Sequence, residues 1–157
     1  MRKKRLNQER VEMMGTVTSV NISKEKGTVK KPVDKICLVL NHGIEGDAHA
    51  GNWHRQISLL GEESIQKVKA AFPNILPGAF AENICTRGII LFKLPVGTRL
   101  RVGAALLQVT QIGKECHRGC EIKKITGDCV MPREGIFAIV LQEGTVAAGD
   151  EIEVVGP

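Results

Sequence analysis

The sequence predicts an all-β protein, mainly strands with one or two short helices, closed into a barrel or stacked as a sandwich. Three observations carry this reading. Short runs rich in β-branched and aliphatic residues recur along the chain, several with strict alternation. Seventeen glycines punctuate those runs. A single stretch shows a convincing helical period.

The elements follow in order. "GTVTSVNIS" (15–23) alternates and is rich in β-branched residues. "SKEKGTVKKPVD" (23–34) reads as a polar surface loop or hairpin turn. "KICLVLN" (35–41) is almost continuously apolar, which predicts a central strand. "RQISLL" (55–60) is a further short run. "GEESIQKVKAAFP" (61–73) is the helix: Glu62 and Glu63 complement the dipole in its first turn, Ile65, Val68 and Phe72 share one face, and Pro73 stops it. "TRLRVG" (98–103) sets Leu100 and Val102 against Arg99 and Arg101, and Gly103-Ala104 suits a tight turn into "AALLQVTQIG" (104–113). "EIKKI" (121–125) allows one more helical turn. "GIFAIVLQEG" (135–144) and "DEIEVVG" (150–156) close the chain as strands.

At 157 residues the chain is one domain by size and long enough to bury a real core. Aromatic residues are only 3% and tyrosine is absent, so aliphatic side chains must fill that core. The same scarcity disfavours nucleic-acid binding by base stacking. The net charge is +5, but Arg2, Lys3, Lys4, Arg5 and Arg10 against Glu9 and Glu12 place much of it in residues 1–13. That segment is expected to be a flexible basic tail, with Met13 and Met14 as alternative starts, ahead of one domain over 14–157. No apolar run reaches the length of a membrane span and no signal-peptide pattern follows the basic start, so neither membrane nor nucleic acid is an expected partner and the expected location is the cytoplasm. Thiols stay reduced there, and five cysteines is an odd number, so a disulfide framework is not expected. Cys37 and Cys85 lie in apolar contexts and read as quiet core thiols.

Three stretches carry candidate chemistry. "HGIEGDAHAGNWHRQISLL" (42–60) gathers His42, Asp47, His49, His54 and Arg55 in a glycine-rich loop. Asp47, His49 and His54 suit a metal by type, yet no recognised metal spacing is present; the plainer alternative is that Asp47 caps a turn. "LPGAFAENICTRGI" (76–89) holds Glu82-Asn83 among apolar residues, where such groups must be hydrogen-bonded to a loop or a ligand. "GKECHRGCEIKKITGDC" (113–129) contains Cys116, Cys120 and Cys129. Structural zinc is open for this stretch, with Cys116, Cys120, Cys129 and His117, although adjacent ligands would strain a tetrahedron. A reactive thiol is equally open, because Lys114, His117 and Arg118 surround Cys116 with positive charge, which favours the thiolate.

The order "GD-x-H", "RQISLL", "PGAFAENI" and "L-x-VG-x-RL-x-VG-x-A-x-L-x-VTQ" running into a cysteine resembles the MOSC domain, the C-terminal domain of molybdenum cofactor sulfurases, in its small stand-alone bacterial form. The match spans residues 14 to 155. The resemblance implies a closed β-barrel of the kind first named in pyruvate kinase, and a role with the molybdenum cofactor (molybdopterin, a pterin dithiolene with a phosphate). It places Asp47, His49, Arg55 and Asn83 around the cofactor pocket, and makes Cys116 the residue that carries sulfane sulfur or ligates molybdenum. Lys114, His117, Arg118 and Arg133 are then expected to meet the cofactor's anionic groups. The implied function is a sulfurtransferase or sulfur carrier working through a Cys116 persulfide. The alternatives are a non-catalytic cofactor-binding carrier with Cys116 on molybdenum, and a molybdenum-dependent reductase of N-hydroxylated compounds. No pyridoxal phosphate site is expected within this chain, so the implied partners are a separate pyridoxal phosphate-dependent cysteine desulfurase and molybdoenzymes or cofactor-synthesis proteins. Two departures stand out. Glu115 occupies a position where many members have proline, and its carboxylate opposes Lys114; Cys120 and Cys129 are additions to the core motif.

Overall fold

The computed structural model describes residues 13–114 and 131–157. Nearly all of the expected basic tail (1–12), the candidate turn at 121–125, and Cys116, His117, Arg118, Cys120 and Cys129 lie outside the described residues.

Eleven strands are described: β1 (Met14–Ile22), β2 (Lys31–Val33), β3 (Lys35–Val39), β4 (Gly43–Ile44), β5 (Ile57–Gly61), β6 (Ile84–Arg87), β7 (Arg99–Val102), β8 (Ala105–Ile112), β9 (Ile136–Gln142), β10 (Gly144–Ala147) and β11 (Glu151–Gly156). Helix α1 (Glu62–Lys69) and the short α2 (Met131–Glu134) accompany them. Seven strands form a ring in the order β11-β7-β8-β9-β5-β6-β1, and pairing of β1 with β11 closes it. The expected closed β-barrel is therefore present. Strand β2 extends β1 outside the ring, and β10-β3-β4 make a second small sheet.

Side-chain alternation explains the wall. In β7, Leu100 and Val102 are fully buried while Arg99 and Arg101 face out. The interior is aliphatic: Ile57, Leu59, Ile84, Leu107, Ile136 and Ile152 are all buried completely. Each such side chain contributes about 1.5–3 kcal/mol on leaving water. The β7–β8 turn is made by Gly103 at φ +54, where a Cβ would stand 2.6 Å from Asp150 Oδ2.

Strand β5 departs from alternation, with all five residues buried. Ile57 and Leu59 face the barrel interior. Leu60 joins a second apolar cluster with Ile65, Val68, Phe80, Cys85 and Phe137 beneath α1. Covered on both sides, β5 pairs in parallel with β6, while the other ring pairings are antiparallel. The parallel step requires a crossover, and α1 supplies it. Ser64 Oγ and Lys67 Nζ donate to Glu134 Oε1 at 3.0 and 2.7 Å, which pins α1 to α2.

Four expectations need correction. The helix ends at Lys69, and Phe72 is 41% exposed instead of completing its apolar face; Pro73 disfavours helical geometry in the residue before it. The run 35–41 is a central strand only of the small sheet, outside the ring, and it alternates: Ile36 and Leu38 join the core cluster while the residue between them faces out. Cys37 is consequently exposed instead of lying in the core. The hairpin alternative for 23–34 is the one found, between β1 and β2, but it is not wholly a surface loop, because Lys30 is buried. Cys85 is buried as expected, and burial pushes its thiol up to about 12. Brief alkylation of the native protein with iodoacetamide at pH 8 is therefore expected to label Cys37 and spare Cys85 until urea is added, as a peptide mass map will show. Among the described residues, no helix is long and apolar enough to cross a membrane.

Candidate functional site

The site forms where the β1–β2 hairpin, the loop after β4 and the end of β8 meet. Asp47 organises it. Its Oδ2 accepts from the His49 backbone N–H at 3.1 Å, the turn cap that an aspartate two residues earlier provides. Its Oδ1 accepts from Ser23 N at 3.1 Å and from Lys30 Nζ at 2.7 Å. Ala48 N donates to Ser23 O at 2.7 Å, so the loop is fastened to the end of β1 through both backbone and side chain. Lys30 lowers the carboxyl pKa of Asp47 against the opposing effect of burial. Burial is the largest effect on Lys30 and draws its ammonium down, while Asp47 holds it up.

Lys30 was not singled out from the sequence. It is 2% exposed, and its ammonium has three neighbours: Asp47, Ser23 Oγ at 3.0 Å and His49 Nδ1 at 3.0 Å. Its backbone N–H donates to Gly78 O at 2.8 Å. Gly78 lies at φ +89, and a Cβ there would be 2.0 Å from Lys30 O, so only glycine allows this approach. The Lys30 hairpin thus joins the "GD-x-H" loop to the "PGAFAENI" stretch.

His49 is neutral. Burial lowers its pKa from 6.5 to about 4, with the charges of Lys30, Lys114 and Lys26 adding to the effect and Asp47 opposing it. The charge of Lys114, two residues before Cys116 in sequence, is thus among those acting on His49. His54 is exposed and shares a 2.9 Å hydrogen bond with Gln111 Oε1; Thr110 Oγ1 donates to the His54 carbonyl. The "VTQ" strand is thereby tied to the loop. Gly113 N donates to Gly135 O at 2.7 Å, joining the chain on either side of residues 115–130.

Arg55 lies between two rings, 4.7 Å from the Trp53 centroid and 5.6 Å from that of Phe137. Trp53 is itself held by its Nε1 donating to His49 O at 2.8 Å. The Arg55 Nε is buried and has no hydrogen-bond partner among the described residues. Such an orphaned cationic donor fits an anionic ligand.

The other candidates are placed differently. Asn83 is fully buried, and its amide is engaged by protein: Oδ1 accepts from Ser58 N and Ser58 Oγ at 3.0 and 3.1 Å, and Nδ2 donates to Asn21 O at 3.1 Å. It fastens β1 to β5. Its neighbour Glu82 is also fully buried; burial raises its pKa to about 7, and its Oε2 has no partner among the described residues. Arg133 is exposed on α2, beside Glu134, whose carboxyl it helps hold low after Lys67 and Ser64. No three His, Cys, Asp or Glu side chains among the described residues converge as a metal cage. An apolar hollow of about 520 Å³, lined by Val29, Phe72, Ile75 and Leu76, shares only Lys30 with the site. Its lining is mainly apolar, so the donor-lined loop is the better candidate for an anionic ligand.

The fold and site define a class: a closed β-barrel with a cationic, donor-lined loop at one end. Residues 46–153 match the family model of the MOSC domain, and the chain belongs to that family, which is linked to molybdenum cofactor function. Its structure is similar to the YuaD protein of Bacillus subtilis, at 26% identity and a TM-score of 0.75, over 90% of this chain and 96% of that one. YiiM from Geobacillus stearothermophilus shares the fold at 23% identity and a TM-score of 0.69, over 90% of this chain and 75% of that one. YiiM from Escherichia coli does so at 23% and 0.66, over 92% and 71%. No curated protein matches the chain.

Proposed function

We propose that this protein handles the molybdenum cofactor as substrate, with Cys116 accepting a sulfane sulfur from a separate cysteine desulfurase and presenting it to the molybdenum centre. The observation that supports this reading is the meeting of four separated motifs at one barrel end. Asp47 and His49, the Lys30–Gly78 contact, Arg55, and the Thr110–Gln111 end of β8 come together there, and Lys114 leads from that point into Cys116.

In the transfer step, the Cys116 thiolate attacks the outer sulfur of the donor persulfide. The donor S–S bond breaks, the donor leaves as a thiolate, and Cys116 holds the new S–S bond. Lys114 and His117 favour the attacking thiolate, and Glu115 opposes them. Arg55, with its orphaned Nε, and Lys114, Arg118 and Arg133 provide the cationic donors for the cofactor's phosphate and dithiolene. Asn83 contributes by fastening β1 to β5.

A carrier that holds the cofactor through a Cys116–molybdenum bond without turnover is the second reading. The low basicity of His49 favours it, since the ring, with its pKa drawn down to about 4, is a poor general base near neutral pH. A persulfide map separates the two. After incubation with a desulfurase and cysteine, trypsin cuts following Lys114, Arg118, Lys123, Lys124 and Arg133 and places Cys116, Cys120 and Cys129 on different peptides. One extra sulfur on the Cys116 peptide, and loss of cofactor sulfuration in Cys116→Ser, are the expected results. Free thiols on all three peptides, with a molybdenum–thiolate absorption band on adding cofactor, would establish the carrier instead.

A further inference from the structure

We infer that Lys30 is a positioning residue that fixes His49 as the neutral Nε2–H tautomer, so that the loop presents one aimed N–H donor to an oxyanion of the bound ligand. The tautomer follows from counting protons around Lys30 Nζ. An ammonium carries three N–H groups and accepts nothing. Its three neighbours are Asp47 Oδ1 at 2.7 Å, Ser23 Oγ at 3.0 Å and His49 Nδ1 at 3.0 Å. Ser23 Oγ directs its own proton to Glu25 O at 3.1 Å, which leaves its lone pair for Lys30. Asp47 Oδ1 is a carboxylate acceptor. The third N–H therefore meets a lone pair on Nδ1, and the ring proton must reside on Nε2.

The ring cannot easily rotate away. The His49 backbone is pinned to Asp47 Oδ2 and its carbonyl accepts from Trp53 Nε1. The side chain keeps 26% of its surface exposed, and Nε2 has no partner among the described residues. The groups facing it are Lys30, Lys114 and Lys26 on one account and Asp47 on the other, so the sum opposes a second ring proton. The consequence is that His49 is neither a general base near neutral pH nor a metal ligand through Nδ1. The donor half of this assignment rests on the anionic ligand proposed above; the tautomer half does not.

The test uses the full chain with ¹⁵N-labelled histidine and no cofactor. Long-range ¹H–¹⁵N spectra at neutral pH are expected to show Nδ1 unprotonated and Nε2 protonated for His49, with no titration between about pH 5 and 8. Exposed His54 is the internal reference. In Lys30→Gln an N–H donor remains but the charge is gone, so the tautomer should persist while the ring titrates at higher pH than in the parent. In Lys30→Met, Nδ1 is released to donate to the Asp47 carboxylate 3.9 Å away, so the Nδ1–H tautomer should gain population; if that variant fails to fold, the parent and Lys30→Gln spectra decide. Saturating inorganic phosphate should shift the Nε2–H resonance of the parent. An Nδ1–H or doubly protonated ring in the parent, or an unchanged tautomer in folded Lys30→Met, overturns the tautomer; no response to phosphate overturns the donor role. Failure of the sulfur-transfer reading would appear only in the persulfide map.

Discussion

Lys30→Met is expected to destabilise the protein by about 3–5 kcal/mol, the usual cost of removing one partner from a buried ion pair. Lys30 and Asp47 both have side chains with no solvent exposure, and 2.7 Å separates their charged atoms. Methionine fills the aliphatic volume but leaves the Asp47 carboxylate without its cation, Ser23 Oγ without its donor and His49 Nδ1 unpaired. A lysine elsewhere on the same hairpin gives the control. Lys24 is exposed, and Lys24→Met should change stability by no more than about 0.5 kcal/mol. Urea midpoints at pH 7 measure both. Comparable small effects would show that the buried pair contributes little to the fold.

Glu82→Gln is expected to raise stability above neutral pH and to leave it unchanged in acid. Burial lifts the Glu82 carboxyl from 4.5 to about 7 in the folded chain. Below pH 4.5 folded and unfolded chains both hold the proton. Between 4.5 and 7 only the folded chain does, so each rise in pH drains stability. Above 7 the accumulated cost is on the order of 3 kcal/mol, which the neutral amide avoids apart from any new unpaired N–H. His49 acts in the opposite sense. Its pKa falls from 6.5 to about 4 on folding, so between those values only the unfolded chain binds the proton and acidification destabilises. The two effects largely cancel from about pH 4.5 to 6.5, and the parent should show a flat stability profile there. In Glu82→Gln the compensation is gone, and urea midpoints should fall steadily as the pH drops through that window. A profile parallel to that of the parent would mean Glu82 is ionised in the folded state.

The strands were legible wherever one face meets the core and the other meets water. Leu100 and Val102 against Arg99 and Arg101 announce β7 without reference to any partner. An unbroken apolar run is ambiguous by comparison. Ile57 to Gly61 and Ile36 to Leu40 look alike, yet the first is covered on both faces and the second on one. What decides is the crossover helix above β5, a tertiary fact that local period does not encode. Phe72 keeps the apolar spacing of the helix, yet the helix has already ended at Lys69, a boundary that spacing alone does not mark. At the site, Asp47, His49 and Arg55 stand out as chemistry-bearing residues in a glycine-rich loop. Lys30 does not, because a lysine in a polar hairpin ordinarily faces solvent. Its burial depends on Asp47, seventeen residues later, and on the glycine at 78 that lets the backbones touch.

The ring is sealed by its most distant strands. Met14 lies opposite Glu153, and Thr16 opposite Glu151. No local sequence of hairpins completes the barrel; the seam forms only when β11 reaches β1. Closing so long a loop costs chain entropy before any ladder bond repays it, and pairings of this kind belong to proteins that fold in roughly milliseconds to seconds. Until then β1 and β7 present raw edges that invite pairing with other chains. The vulnerable moment in this protein's life is accordingly the interval between synthesis of β7 and arrival of β11. A substitution that weakens the seam, such as proline at Ile152, should act first on refolding yield and only second on the properties of molecules that have closed.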